Sequence, residues 1–252
     1  MSSTTRTCEF CGEELEPVIA PSPFKRANGK HAAERKFVIG YKTCKCDQAQ
    51  AKLAAMLRED EQEAVRRAQR AVDAKLSKAG VKPRYRAATH PEEGLWEEVR
   101  DGRSLYICGR VGTGKTHLAS AIARHLVLDG RMTVRMMTTV DVMDAFKATF
   151  GGSGSEQEVA ARLAKVDVLV LDDLGKEPPT DWTLSRLFQI VNARYEALRP
   201  VVITTQFARS ALIKRLAKNG DEETVIAIVS RLCETSRTVT LDGRDRRLSH
   251  DR

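Results

Sequence analysis

The sequence predicts an α/β domain that follows a small N-terminal module and a connecting helix. Two observations predict the α/β domain: a glycine-rich turn leads from an apolar segment into a helical pattern, and two nearly continuous apolar runs end in polar residues. Four paired cysteines in the first fifth of the chain predict the module. We expect the module at residues 1–46, the helix at 47–80 and the α/β domain at 81–252, a length that allows one substantial core and a small appendage.

The expected N-terminal module contains two close pairs of cysteines, Cys8 with Cys11 and Cys44 with Cys46. Two thiolate pairs can complete a tetrahedral zinc site, and a segment of ~40 residues buries too little surface to fold without such support. A disulfide framework is disfavoured in a reducing compartment, and unrelated buried thiols are disfavoured by the pairing. Because the gap between the pairs is long, His31 stays open as a replacement for one thiolate. The pattern predicts a Zn²⁺ site.

The segment after the cysteines has a helical pattern and a high positive charge. Apolar residues recur every three or four positions, and Gly80 follows as a helix stop. The recurring residues are Val65, Ala68, Val72, Leu76 and Ala79. Between Arg66 and Arg86 eight basic side chains accompany one acid, and the whole chain carries a net charge of +8. Both interpretations of the run stay open: a solvated helix face or a nucleic-acid contact.

The stretch Leu105–Leu126 has the spacing G-x-x-x-x-G-K-[ST] through Gly109, Gly114, Lys115 and Thr116. In this motif the backbone N–H groups of the loop and the positive end of the next helix hold phosphate oxygens. Lys115 would reach the terminal phosphates, and the Thr116 hydroxyl would ligate Mg²⁺. An apolar segment precedes the loop and a helical pattern follows it, which is the context that the motif requires. The stretch predicts a site for ATP and Mg²⁺.

The apolar run Val166–Glu177 contains two adjacent acids, Asp172 and Asp173, at the expected end of a central parallel strand. That edge of the sheet is where the phosphate loop also leaves its strand. Because adjacent strand residues point to opposite faces, we expect Asp172 to join Thr116 at Mg²⁺ and Asp173 to orient the attacking water. The alternative is a polar strand end with exposed acids.

Later segments supply further candidates. The apolar run Pro200–Phe207 predicts a strand that directs Gln206 toward the γ-phosphate, although Thr204 or Thr205 could take this role. A helical pattern then carries Arg231, either a surface group or an arginine that acts on a neighbouring subunit, and "RTVTL" predicts a last strand. The residues 151–158 are expected to form a loop because they are rich in glycine and serine.

These motifs together resemble a family. The segments "AGVKPRYRAAT", "GRVGTGKTH", "VDVLVLDDLG", "VVITTQF", "IVSRLCE" and "LDGRDRR" are similar to AAA+ ATPases of the DnaC/DnaI type, the replicative helicase loaders, and to their IstB-type transposition relatives. The resemblance implies a five-stranded parallel sheet and an ATP site completed by self-association, with Arg231 acting in trans and Arg247 sensing nucleotide. It assigns nucleotide contacts to Gly109, Val111, Gly112, Thr113, Gly114, Lys115, Thr116 and His117.

Two positions depart from the family pattern. Asp173 stands where glutamate is frequent, and Gln206 stands where asparagine is usual. Each change alters the reach of the side chain by one methylene, which predicts slower hydrolysis without loss of ATP binding.

A zinc-bearing module ahead of the ATPase resembles the DnaI-type loader. This resemblance implies that the module binds a hexameric replicative DNA helicase, while the ATPase domain meets single-stranded DNA and uses ATP as a switch. The alternatives are an IstB-type transposition helper, a slowly hydrolysing DNA-binding adaptor that senses nucleotide, and a small-molecule P-loop kinase. Because no apolar run approaches ~18 residues and the first residues lack a signal-peptide pattern, we expect a cytoplasmic protein with no membrane partner.

Overall fold

The computed structural model describes residues 5–21, 36–90, 94–152, 154–219, 221–243 and 245. The chain divides into two compact units, Met1–Arg70, called here the N-terminal unit, and Ala71–Arg252, called here the sheet domain. The division falls within helix α1, which is observed at Asp47–Ala79 and confirms the connecting helix. Domain boundaries at residues 46 and 80 stay predictions. In the described part of the chain, no helix is long and apolar enough to cross a membrane.

The N-terminal unit contains a two-stranded antiparallel sheet. Strand β1 (Pro17–Pro21) pairs with β2 (Lys36–Tyr41), and an isolated bridge joins Thr7 to Glu14. Its buried cluster consists of Cys8, Cys44 and Ala49, with Leu15 and Cys46 partly buried against it. Most of the remaining described side chains of this unit are exposed. Apolar burial in the described part of the unit is therefore small.

The sheet domain contains five parallel strands in the spatial order β4-β5-β6-β3-β7. The strands are β3 (Ser104–Gly109), β4 (Val134–Thr138), β5 (Val168–Asp172), β6 (Val201–Thr205) and β7 (Ser236–Leu241). The helices are α2 (Leu95–Arg100), α3 (Lys115–Asp129), α4 (Thr139–Lys147), α5 (Glu156–Lys165), α6 (Asp181–Glu196), α7 (Arg209–Leu216) and α8 (Glu222–Glu234). This order confirms the predicted α/β sheet of five parallel strands.

The two faces of the sheet are covered by two apolar clusters. In β5, Val168 and Val170 pack in a cluster with α3 residues, whereas Leu169 and Leu171 pack in a cluster with residues of α4, α5, α6 and α8. The whole of β5 and β6 is buried. Alternate residues of these strands therefore serve opposite cores, which is why their sequences are apolar without a period of two.

Two segments differ from the predicted pattern. Helix α5 begins at Glu156, within the expected loop, because the Ser155 hydroxyl accepts the Glu158 N–H while the Glu158 carboxylate accepts the Ser155 N–H. In α1, Leu76 and Ala79 are buried, but Val65 is 64% exposed. The apolar stripe therefore packs only near the end of the helix.

Arg194 of α6 is a fully buried cation at the end of the sheet where β5 and β6 begin. Its guanidinium donates to the carbonyls of Leu163, Ala164, Val166, Asp167 and Pro200 at 2.8–3.3 Å. Burial lowers the pKa of Arg194 to about 10. A single side chain thus holds together the end of α5, the start of β5 and the start of β6.

Candidate nucleotide site and cysteine cluster

The phosphate loop joins the end of β3 to the start of α3. Gly109 has a φ of 154°, and a Cβ there would overlap the Leu241 carbonyl oxygen of β7. Gly114 has a φ of 99° and forms the N-cap of α3, which begins at Lys115. The sequence therefore bends sharply from strand to helix and directs the first N–H groups of α3 toward the carboxyl edge of the sheet.

Lys115 is buried at the start of α3. Its ammonium donates to the carbonyl oxygens of Gly109 and Arg110 at 2.8 and 2.7 Å. These bonds hold the charged end of the side chain over the loop. The positive charge of Lys115 therefore lies where it could attract an anion bound by the loop.

Thr116 and Asp172 meet at the edge of the sheet. The Thr116 hydroxyl donates to the Asp172 carboxylate at 3.0 Å, and the Thr204 hydroxyl of β6 donates to the same carboxylate at 2.6 Å. Burial raises the pKa of Asp172, although both hydrogen bonds oppose this effect. A hydroxyl and a buried carboxylate in contact are oxygen ligands of the kind that Mg²⁺ prefers. The residues present therefore fit a Mg²⁺ site.

Asp173 lies just beyond β5 in a turn with a φ of 61°. Its carboxylate accepts a hydrogen bond from the Lys176 ammonium at 2.6 Å. We expected the two carboxylates to point in different directions because adjacent strand residues face opposite sides of a sheet. That reason is wrong: the strand ends at Asp172, and the two carboxylates differ in direction because the chain turns there. Asp173 consequently faces a cavity, whereas Asp172 is enclosed between α3 and β6.

A cavity of about 340 Å³ lies above the phosphate loop. Eight of the residues predicted for the site line it: Val111, Gly112, Gly114, Lys115, Thr116, His117, Asp173 and Gln206. The other two predicted nucleotide contacts, Gly109 and Thr113, do not. Thr204 and Thr205 do not line it; Thr205 donates instead to the Leu174 carbonyl at 2.7 Å. Of the three side chains considered at the end of β6, Gln206 is the one that the structure brings to this cavity.

Three residues of this cavity were not assigned to it from the sequence. Arg84 and Tyr85, in a short 3-10 helix at Pro83–Tyr85, line the cavity with Lys176. The ring of Tyr85 meets His117 edge to face at 6.4 Å between centroids. The basic run Arg66–Arg86 is therefore divided: its first part is in α1, and its end lies at the nucleotide cavity. The proline before Arg84, which breaks the helical pattern, is the signal that could have separated them.

Of the two arginines expected to complete the site, Arg231 is not on the cavity wall. Arg231 of α8 lies over the rings of Phe188 and Tyr195 at 5.1 and 5.7 Å and donates to the Ala227 carbonyl at 3.1 Å. Arg247 lies outside the described residues. Of the described residues after β7, Asp245 lies with its carboxylate so close to Gly112 that a Cβ on Gly112 would overlap it. Asp245 therefore lies at the phosphate loop.

The cysteines of the N-terminal unit form a compact group. The sulfurs of Cys8, Cys11, Cys44 and Cys46 all lie within 4.8 Å of one another. The Cys8–Cys46 and Cys11–Cys44 separations are 3.8 and 3.4 Å, too long for disulfides and near the ~3.8 Å edge of a tetrahedral ZnS₄ site. Backbone N–H groups of Cys11 and Phe10 lower the pKa of the Cys8 thiol to about 7. The four thiols fit zinc; His31 lies outside the described residues.

The sequence profile of the IstB-like ATP binding protein family matches residues 96–252, more than half of the chain. The chain belongs to this family. It is 36% identical over 116 residues to the replicative helicase loader DnaC of Escherichia coli strain K12. The alignment covers 46% of this chain and 47% of DnaC. It is 31% identical over 153 residues to the uncharacterized protein YdaV of the same strain, covering 54% of this chain and 61% of YdaV. The chain thus spans about half the length of the DnaC relatives that it matches.

Solved structures show the same fold. The DnaC helicase loader aligns with a TM-score of 0.52 and 25% identity over 64% of this chain and all of that one. The replication initiator DnaA bound to AMPPCP and single-stranded DNA aligns with a TM-score of 0.51 and 22% identity over 65% of this chain and 51% of DnaA. The resemblance to AAA+ proteins of the DnaC/DnaI and IstB type is confirmed, and the domain is of an ATP-binding family.

Proposed function

We propose that this chain is an ATP-dependent loader that binds a hexameric replicative DNA helicase through its N-terminal unit and delivers it to single-stranded DNA. The observation that carries the proposal is the contact of Thr116 with the buried Asp172 beneath a cavity above the phosphate loop, in a chain similar to a helicase loader. A phosphate loop alone would fit many ATP-using proteins. The likeness to DnaC supports the loader among them.

In this proposal, ATP binds above the phosphate loop. Loop N–H groups and the ammonium of Lys115 hold the phosphates, and Tyr85 and His117 contact the nucleoside end. Thr116 and Asp172 hold Mg²⁺, which when bound offsets the negative charge of the phosphates. Asp173 orients the attacking water, and Gln206 contacts the γ-phosphate or that water.

Arg231 completes the site of a neighbouring copy and stabilises the charge that develops during hydrolysis, and Arg247 senses the bound nucleotide from its own chain. The location of Arg231 away from its own cavity supports a role in trans. Arg231→Ala and Lys115→Ala chains are each expected to be inactive, whereas their mixture should regain part of the ATPase activity at interfaces that pair an intact loop with an intact arginine. No recovery in verified mixed oligomers would contradict this role.

The loader proposal separates helicase binding from nucleotide binding. Full-length Cys44→Ser is expected to lose capture of a purified hexameric replicative helicase and to keep ATP affinity, because the cysteine cluster and the cavity belong to different units. Lys115→Ala is expected to keep helicase capture without ATP. Equal helicase capture by wild type and Cys44→Ser would exclude the N-terminal unit as the helicase-binding part.

A second candidate is an IstB-type transposition helper, favoured by the family profile that matches residues 96–252. A helper would capture a transposase and not a helicase in the same assay. The ion pair between Lys176 and Asp173 favours slow hydrolysis in either case, because it occupies the carboxylate that would orient water. ATP turnover measured with DNA and partner present distinguishes an active loader from a slowly hydrolysing adaptor.

A further inference from the structure

The structure contains a fully buried carboxylate, Glu177, that is not on the wall of the nucleotide cavity. Its Oε2 accepts hydrogen bonds from the Gly175 N–H at 2.9 Å and from the Thr139 hydroxyl at 2.7 Å. Its Oε1 is buried with no hydrogen-bond partner in the described part of the chain. Burial of a carboxylate is costly, so a residue of this kind in a turn beside the candidate site calls for a functional reason.

That turn presents Asp173 in a strained conformation. A positive φ is uncommon in a residue other than glycine and persists where the surroundings hold it. On one side β6 holds the turn: the Asp173 N–H donates to the Thr204 hydroxyl at 2.9 Å, and the Leu174 N–H donates to the Thr204 carbonyl at 2.8 Å. Together with the bond from the Thr205 hydroxyl to the Leu174 carbonyl, these bonds fix the start of the turn, but none of the three reaches Gly175 or the residues after it.

Glu177 and Thr139 hold the other side. Thr139 is the first residue of α4 and is fully buried. Its hydroxyl lies 2.7 Å from the Glu177 carboxylate and 3.2 Å from the Asp173 carbonyl, so its one proton is shared between the two acceptors. The Gly175 N–H bond closes the turn over the same carboxylate. Glu177 thereby links the end of the turn to α4.

We propose that Glu177 is a positioning residue for ATP hydrolysis, which acts with Thr139 to hold the turn that directs Asp173 toward the nucleotide. The inference rests on the proposed role of Asp173. Without the Glu177 acceptor, the turn can relax from its positive φ, and the Asp173 carboxylate moves with it. A displacement of about 1 Å at a reacting group can lower the rate on the order of 100-fold. We expect ATP affinity to be unchanged, because the hydrogen bonds of Glu177 and Thr139 go to the turn and to each other, and Thr116 and Asp172 are held by Thr204 and by their own contact.

The experiment compares kcat for ATP hydrolysis and ATP affinity in four full-length variants. Glu177→Met removes the acceptor at similar volume, and Thr139→Val removes the shared hydroxyl; each is expected to lower kcat about 10- to 100-fold at unchanged ATP affinity. Thr139→Ser and Glu177→Gln keep a donor and an acceptor, respectively, and should recover most of the rate. The matched control is Thr183→Val, which removes another buried hydroxyl, at the start of α6, and should leave kcat unchanged.

The same substitutions in an Asp173→Asn background separate positioning from a general loss of structure. If Glu177 acts through Asp173, Thr139→Val and Glu177→Met should add no further loss there. A wild-type kcat in Thr139→Val and Glu177→Met, or an equal loss in both backgrounds, would overturn the positioning role. A wild-type rate in Asp173→Asn alone would instead overturn the role of Asp173 in hydrolysis, and with it the inference about Glu177.

Discussion

The N-terminal unit buries Cys8, Cys44 and Ala49 in its described cluster, whereas the sheet domain buries apolar clusters on both faces of a five-stranded sheet. Two of the three buried residues in the smaller cluster are also candidate metal ligands. The same chain therefore contains two ways to stabilise a fold: apolar burial in the sheet domain, and a ligand-dependent core where apolar burial is small. We therefore expect the two units to unfold under different changes: loss of the metal for the N-terminal unit, and loss of buried contacts for the sheet domain.

The largest expected effect is the loss of the N-terminal fold on removal of zinc. Cys8→Ser and Cys44→Ser should each lose the one zinc that we expect per chain, with complete loss of hydrogen-exchange protection in β1 and β2 and unchanged protection in β5 and β6. Cys233→Ser is the matched control, since Cys233 belongs to the sheet domain and is not one of the four clustered cysteines. Full zinc in both cluster variants, measured by metal analysis, would remove the distinction between the units.

The second effect is a loss of folding stability that is confined to the sheet domain. Arg194→Met leaves five carbonyls without their donor and is expected to lower the free energy of unfolding by about 3–5 kcal/mol in urea titrations. Zinc content should not change. Arg162→Met, on the exposed face of α5, should cost less than about 0.5 kcal/mol. Similar costs for Arg194→Met and Arg162→Met would show that the buried guanidinium is dispensable.

A smaller effect concerns stabilisation by the nucleotide. With Mg²⁺ present, ATP at about 100 times its Kd should stabilise the wild-type sheet domain by ~2.7 kcal/mol, and Lys115→Ala should abolish this gain. Lys147→Ala, an exposed lysine paired with Asp144, should retain it. Thermal unfolding with and without ATP provides the measurement. An ATP-dependent increase in Tm that persists in Lys115→Ala would place the nucleotide elsewhere.

The smallest effect tests the basic part of α1. If Arg66, Arg67 and Arg70 contact phosphates, their replacement by alanine should flatten the log–log salt dependence of single-stranded DNA binding by about 0.7 per contact, or roughly 2 in total. The control replaces three exposed basic residues of the sheet domain, Arg162, Lys165 and Lys214. An equal slope in wild type and the α1 variant would show a solvated helix face.

The phosphate loop and the cysteine cluster could be predicted from the sequence, because both depend on particular residue types at short fixed intervals along the chain. The conformation of Asp173 could not be predicted from an apolar run, because its N–H donates to the Thr204 hydroxyl on a distant strand, and the next part of the turn, the Gly175 N–H, donates to the carboxylate of Glu177 later in the chain. The start of α5 could have been predicted from Ser155 and Glu158, but the neighbouring glycines obscured this capping pair.

The buried guanidinium of Arg194 has a consequence for how the sheet domain folds. Its five acceptors belong to segments about 30 residues before it and about six after it, so the bonds form only when α5, β5 and β6 have all assembled. Before these segments assemble, water solvates the guanidinium. A partly assembled state would bury the guanidinium with too few carbonyl acceptors to replace that water. Partly assembled states are therefore penalised, and the half of the sheet around β5 and β6 should form and open as one cooperative unit.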